Sequence, residues 1–209
     1  RGTEKDLLQA PDCWTKLPDG TIVAYGRDPN YPGWPDTLQL NFFNPHLRAA
    51  MIGELRSIAT RCSGVRCDMA MLLEPEIFSR TWGERPEACE TFMDQSYTVS
   101  WWPDAIAQVR RDHPDFVFLG EVYWNYEERL LEHGFSYTYD KVLYDLLIDH
   151  EAKRLSEHLR SHQSINARMA HFLENHDEPR VASKLSPLEH NAAAVVSYLA
   201  PGMRFLQLG

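Results

Sequence analysis

An α/β fold built on a parallel sheet is predicted by three features of the sequence. Five short apolar strand patterns alternate with helical patterns along the chain. One of those strands, Phe116 to Val122, is apolar on both faces, as strands covered by helices on both sides are. The 209 residues, 44% of them hydrophobic, are enough to bury a sizeable core.

Residues 1–44 show little periodicity and much turn chemistry, as in Leu17-Pro18-Asp19-Gly20 and the proline-rich run from Asp28 to Pro35. They are expected to form an irregular loop or subdomain segment, with the α/β domain occupying 45–209. Asn44 then caps a helix that has Pro45 at its first position. Leu47, Met51, Leu55, Ile58 and Cys62 recur on its face until Gly64. Val65 to Met69 reads as a strand. A helix from Trp102 carries Ile106 and Val109 and ends before Pro114, and the strand Phe116 to Val122 follows. Tyr126 to His133 is a short helix closed by Gly134, and it leads to an aromatic strand, Phe135 to Tyr139. Leucines from Leu143 to Leu159 mark one or two helices, and Met169 to Glu174 is the next strand. Ser186-Pro187-Leu188-Glu189 has the form of a capping box and opens a helix that Pro201-Gly202 ends. Arg204 to Leu208 is the fifth strand.

Composition excludes several classes of function. A net charge of -9 disfavours nucleic acid and anionic lipid as partners, because both are bound chiefly by basic surface. No run of about 20 apolar residues offers a membrane span. Cys13, Cys62, Cys67 and Cys89 contain no CxxC pair; Cys62 and Cys67 read as two buried small residues. Free thiols slightly favour a cytoplasmic location, and the chain begins at Arg1 without an initiator Met or a signal-peptide core. His150-Glu151 starts like a zinc-protease motif, but Arg154 stands where the second His belongs.

Parallel α/β chains form doubly wound sheets or (β/α)8 barrels. Neither GxGxxG nor GxxxxGK[ST] occurs, so the nucleotide-binding sheet loses support and the barrel gains it. Asp68 lies near the end of one predicted strand, Glu121 near the end of the next, and Asp177 just past another. In a barrel all strand ends open onto one face, where active sites sit. An acid inside an apolar strand is costly unless paired or hydrogen-bonded, which makes Glu121 the most informative of the three. The plainer reading is that each acid caps a helix or pairs with a base such as Arg66 or Arg180. Two carboxylates about 5–5.5 Å apart, however, are what a retaining glycosidase needs, one as nucleophile and one as acid and base.

At these residues the chain resembles the α-amylase family of glycoside hydrolases. Gly64-Val65-Arg66-Cys67-Asp68-Met69-Ala70 is similar to that family's fourth-strand motif, which implies Asp68 as nucleophile and Arg66 as the base that holds it ionised. Leu119-Gly120-Glu121-Val122-Tyr123-Trp124 resembles the fifth-strand motif and implies Glu121 as general acid and base. Phe172-Leu173-Glu174-Asn175-His176-Asp177 resembles the seventh-strand motif, implying Asp177 as transition-state stabiliser and His176 as a donor to sugar hydroxyls. Trp34 to Asn41 resembles the segment before the fourth strand, with Asp36 and Asn41 in its polar positions. Where many members carry Lys and His after the nucleophile, this chain has Met71 and Leu72.

The third-strand motif, Asp followed by Asn-His, is absent upstream of Trp34. The expectation is therefore a partial (β/α)8 barrel, roughly strands 4 to 8, truncated at both ends, unstable or aggregating through its unpaired edges, and inactive by itself. The resemblance implies a neutral α-linked oligosaccharide or polysaccharide as partner. Substrate contacts are expected from Arg66, His176 and Asn175, and from the aromatic rings of Tyr123, Trp124 and Trp34. No cofactor is expected. A structural calcium ion, known in the family, has oxygen donors available at Asp19, Asp28, Asn30 and Asp36 but no EF-hand pattern, and stays unassigned. A transglycosidase or isomerase of the same family shares all three acids, and a non-catalytic sugar- or partner-binding relative is the alternative from another class.

Overall fold

The structure, a computed structural model, describes residues 1–83 and 99–208, so Cys89 lies outside the described residues. The chain divides into two compact units, Arg1–Ser57 with Leu72–Trp101, and Ile58–Met71 with Trp102–Gly209.

The first unit is more regular than its sequence suggests. Thr3 and Asp6 form a reciprocal capping box at the start of α1 (Glu4–Gln9). β1 (Trp14–Lys16), β2 (Ile22–Gly26) and β3 (Trp34–Leu38) then make an antiparallel sheet in that order. Prolines and turn residues crowd these strands and mask them in the sequence, and the β2–β3 pairing shifts register at Tyr25/Gly26. The segment expected to be irregular therefore contains a short helix and a small antiparallel sheet. α2 (Pro45–Ala59) begins as its cap predicts, with Asn44 Oδ1 accepting the His46 N–H at 2.9 Å. α3 (Pro75–Trp82) is not legible in the sequence, although Pro75 opens it and Ile77, Phe78 and Thr81 form its buried side. Phe42 packs edge-on against Trp101, and Phe43 against Phe78.

The second unit is a five-stranded parallel sheet in sequential order. Its strands are β4 (Gly64–Cys67), β5 (Val117–Gly120), β6 (Tyr137–Tyr139), β7 (Met169–His171) and β8 (Met203–Arg204). Each is shorter than the run that announces it. The intervening helices are α4 (Trp102–Asp112), α5 (Glu127–Glu132), α6 (Lys141–Ile148), α7 (Ala152–Ser161) and α8 (Pro187–Leu199). His150, at φ +60°, breaks the leucine-rich stretch into α6 and α7. Ser186 and Glu189 form the predicted capping box of α8.

Register fixes which side chains share a face. Arg66 pairs with Leu119, Leu119 with Tyr137, Tyr139 with Ala170, and Ala170 with Met203. With the period of two along each strand, one face carries Arg66, Leu119, Tyr137, Tyr139, Ala170 and Met203. Leu119, Tyr139 and Ala170, with Tyr144 and Phe172, are the centre of an apolar cluster that Tyr137, Met203 and Phe205 join. The opposite face carries Cys67, Phe118, Thr138 and His171. Phe118 is buried with Phe135, and Trp102 meets Phe135 edge-on while donating its Nε1–H to the Ala70 carbonyl at 2.8 Å.

Cys13, Cys62 and Cys67 are free thiols. Cys67 is buried as expected, but Cys62 is exposed, because it sits beyond the last turn of α2 with its thiol donating to the Ile58 and Gly64 carbonyls. No described helix is long and apolar enough to cross a membrane.

Candidate active site

The same parity carries the strand-end acids. Asp68 is two residues beyond Arg66, and Glu121 two beyond Leu119, so both project on the face of the Tyr139 cluster. The adjacent strand ends are tied together as well: the Glu121 N–H donates to the Cys67 carbonyl, and the Ala70 N–H to the Glu121 carbonyl, both at 2.9 Å.

Arg66 joins the two acids. Its Nη1 lies 2.9 Å from Asp68 Oδ2 and its Nη2 lies 2.8 Å from Glu121 Oε2. Its Nε donates to the Tyr139 hydroxyl at 3.3 Å, with the guanidinium over the Tyr139 ring. Burial works against the Arg66 charge, but the Tyr139 hydroxyl and the Glu121 and Asp68 carboxylates outweigh it and raise its pKa.

The two acids sit in different surroundings. The Asp68 side chain is 74% exposed and the Glu121 side chain 4%. Glu121 Oε2 also accepts the Met69 N–H at 2.8 Å, and Oε1 accepts the Tyr123 hydroxyl at 2.8 Å. Burial pushes the Glu121 carboxyl above the usual range. The Met69 N–H, Tyr123 and Arg66 pull against that, and the Asp68 charge adds to it. Met69 is held at φ +42° while it makes this bond, in the left-handed region that a side chain seldom adopts. Burial pushes the neighbouring Cys67 thiol up to about 12, with Arg66 opposing, so it stays protonated and is no rival nucleophile.

Asp177 approaches from the loop after β7. Its charge, like that of Glu121, bears on the hydroxyls of Tyr123 and Tyr139, and its Oδ2 lies 3.3 Å from His176 Nε2. Both side chains are about half exposed. Asn175 shapes this loop, as its Oδ1 accepts the N–H groups of Asp177 and Glu178 at 3.0 and 2.9 Å. Trp124, at φ +63°, is partly exposed beyond Tyr123. Trp34 belongs to β3 of the first unit, a separate body from the one that carries the carboxylates.

Several participants are not singled out by the sequence. Tyr139 is one, although its place in an aromatic strand of the same parity as Glu121 is an available signal. Lys141 is another: its Nζ reaches Glu178 Oε1 at 3.0 Å. Arg180 pairs with Glu174 at 3.2 Å. Met71, where a sugar-binding residue would stand in the resembling family, is fully buried.

Two of the four residues named for calcium, Asp19 and Asp28, shape turns with one carboxylate oxygen each. Asp28 Oδ1 accepts the Asn30 and Tyr31 N–H groups, and Asp19 Oδ1 accepts that of Thr21. Among the described residues no group of three or more His, Cys, Asp or Glu is placed to hold a metal ion.

No family model matches the sequence, and no curated protein matches it. Solved structures do match the chain. The α-amylase of H. orenii aligns over 93% of this chain and 38% of its own, with a TM-score of 0.62 and 20% identity. The cyclic α-maltosyl-(1→6)-maltose hydrolase of Arthrobacter globiformis, in complex with maltose, aligns over 98% of this chain and 46% of its own, at 0.60 and 18%. Amy13B of Eubacterium rectale aligns over 98% and 42%, at 0.61 and 16%. The chain thus spans less than half the length of each of these structures. At such identities the likeness is one of fold, and by it the five parallel strands with their helices are part of a (β/α)8 barrel.

Proposed function

We propose that the chain is part of the catalytic barrel of an α-amylase-family glycoside hydrolase, one that cleaves α-glucosidic bonds of glucans or oligosaccharides by double displacement with retention. The observation that carries this reading is the single guanidinium of Arg66 shared by Asp68 and Glu121. A group spanning both acids favours the close pair of a retaining enzyme, about 5–5.5 Å apart, over the wider pair of an inverting one, which leaves room for water.

In this reading the two environments assign the roles. Asp68, open to solvent and beside a permanent cation, attacks the anomeric carbon as a carboxylate. Glu121, buried and with its pKa raised, protonates the departing glycosidic oxygen as the bond to carbon breaks. The resulting carboxylate then takes a proton from water, and the water oxygen displaces Asp68 from the sugar. Asp177 supplies negative charge opposite the positive charge that develops on the ring. Trp124, exposed and next in sequence to Tyr123, and His176, exposed beside Asp177, are assigned to the sugar, Trp124 by stacking and His176 by hydrogen bonding.

The test is trapping of the intact protein with a 2-fluoro-α-glucosyl fluoride, followed by peptide mass spectrometry. A stoichiometric adduct on Asp68 is expected, absent in Asp68→Ala. An adduct elsewhere, or turnover that survives Asp68→Ala, overturns the assignment. Products formed with and without an added sugar acceptor separate hydrolysis from transfer.

A further inference from the structure

We propose that Tyr123 is a positioning residue for Glu121, whose hydroxyl selects Oε1 as the carboxyl oxygen that carries the catalytic proton. The proposal rests on the glycosidase reading above for its role in turnover, but its physical core concerns only these two side chains.

The two oxygens of Glu121 have unlike partners. Oε2 faces the Met69 N–H and Arg66 Nη2, each at 2.8 Å. Both are donors with no lone pair to offer, so a proton on Oε2 would have no acceptor and would displace one of them. Oε1 faces only the Tyr123 hydroxyl among its described partners, at 2.8 Å. A phenol both donates and accepts. It can donate to Oε1 when Glu121 is ionised, and accept from Oε1–H when Glu121 is protonated. Oε1 is therefore the oxygen that can gain and lose a proton while every neighbour stays hydrogen-bonded.

The Tyr123 hydroxyl is suited to that duty because it keeps its own proton. Burial and the Glu121 charge, with Asp177 beyond it, push its pKa up. In the transfer step the proton leaves Oε1 for the glycosidic oxygen, the sugar–oxygen bond breaks, and the hydroxyl turns to donate to the new carboxylate. The phenol ends the step as it began, and no proton is lost from it. Position 123 also sets the strength of the acid. A donor to the ionised form favours that form, so the hydroxyl counteracts the upward push of burial on Glu121. A ring without it leaves Glu121 a weaker acid.

This role differs from sugar stacking, the role expected of Tyr123 from the sequence, and the two predict different data. The experiment uses the intact protein, Tyr123→Phe, and a variant carrying 3-fluorotyrosine at 123, with two readouts. The first is the carbon-13 titration of the Glu121 carboxyl, identified by its loss in Glu121→Gln. The midpoint is expected to rise by about one pH unit in Tyr123→Phe and to fall with the more acidic fluorophenol. The second is the pH profile of kcat/KM on an aryl α-maltoside, whose alkaline limb should move in parallel. An unmoved Glu121 midpoint overturns the proposal, as does a rise in KM with the limb unshifted. If the midpoint moves but no α-glucoside is hydrolysed, the Tyr123–Glu121 coupling stands and the glycosidase reading falls. Should Tyr123→Phe fail to fold, the fluorotyrosine variant gives the same decision with the opposite sign.

Discussion

Arg66 Nη2 lies 2.8 Å from Glu121 Oε2 while Nη1 of the same guanidinium holds Asp68. One residue thus sets the charge balance of two acids that the proposed reaction needs in opposite protonation states. A lysine keeps the charge but not the planar fork. Arg66→Lys is therefore expected to lower kcat by about 10²-fold, comparable to removing one preorganised donor from a reaction centre. Steady-state kinetics on a maltooligosaccharide check this, beside a thermal melt within a few degrees of the parent. Activity within a factor of two of the parent contradicts it.

A second acid–base cluster lies on the other face of the sheet, and it governs stability. Asp140, fully buried after β6, accepts from His158 Nε2 at 2.8 Å and from the Leu143 N–H at 3.0 Å. His171 Nδ1 approaches Asp140 Oδ2 at 3.1 Å as an ion-pair contact without hydrogen-bond alignment, and His171 Nε2 meets the Pro201 carbonyl. His162 packs on the His158 ring, and Glu127 lies within reach of the Asp140 charge. Burial opposes the Asp140 charge, but His158 and His171 prevail and lower its pKa to about 2. Burial also opposes the His171 charge, yet Asp140 and the Pro201 carbonyl raise its pKa.

These shifts act on opposite flanks of the pH range. A lowered Asp140 stabilises the fold above its unfolded pKa of about 3.9, and that contribution is lost as pH falls toward 2. A raised His171 stabilises below about 6.5, and its contribution is lost as pH rises through the folded pKa. Glu127, pushed up chiefly by burial, also disfavours folding as pH rises. Stability from Asp140 and His171 is expected to peak between about pH 4 and 6.5, with Glu127 subtracting from it as pH rises above about 4.3. Urea unfolding from about pH 2 to 8 should show Asp140→Ala losing about 3–5 kcal/mol at the peak, with both flanks flattened. Identical pH profiles for variant and parent contradict the assignment.

Two glycines give opposite predictions for the same substitution. Gly202 has φ +138°, and a Cβ there would stand 2.4 Å from the Met169 carbonyl oxygen and 2.9 Å from His171 Nε2. Gly202→Ala should lower stability by about 1–3 kcal/mol through backbone strain and by pressing on the Asp140 cluster. Gly53 lies within α2, and a methyl group added there would meet nothing within 4 Å. Gly53→Ala should raise stability by about 0.5–1 kcal/mol through helix propensity and a less free unfolded chain. Paired thermal melts read both outcomes, and a common sign for the two contradicts the argument.

Helix starts and strand order are legible because their signals are local: Asn44-Pro45, Ser186-Glu189 and the doubly apolar run at Phe116. Asp68 and Glu121 are legible because each follows a short apolar strand in a motif of its own, and the structure joins both to Arg66. β1 to β3 are not legible, since the prolines and turn residues around them dominate the pattern of residues 1–44. Glu121 can be assigned from sequence by type alone, because its partners Met69 and Arg66 come from another strand end and Tyr123 contacts it through a turn. Asp140 stands at a strand end like the others, yet no local pattern singles it out; its histidines lie 18 and 31 residues away, and only the register turns them toward it.

Alternation along β5 also bears on how this sequence can vary by length. Inserting or deleting one residue within Val117–Gly120 would turn Glu121 to the helix side of the sheet and away from Arg66. The loops beyond the strand ends carry no such reading frame. Lineages of this protein should therefore accumulate gaps there while β4 and β5 keep a fixed residue count.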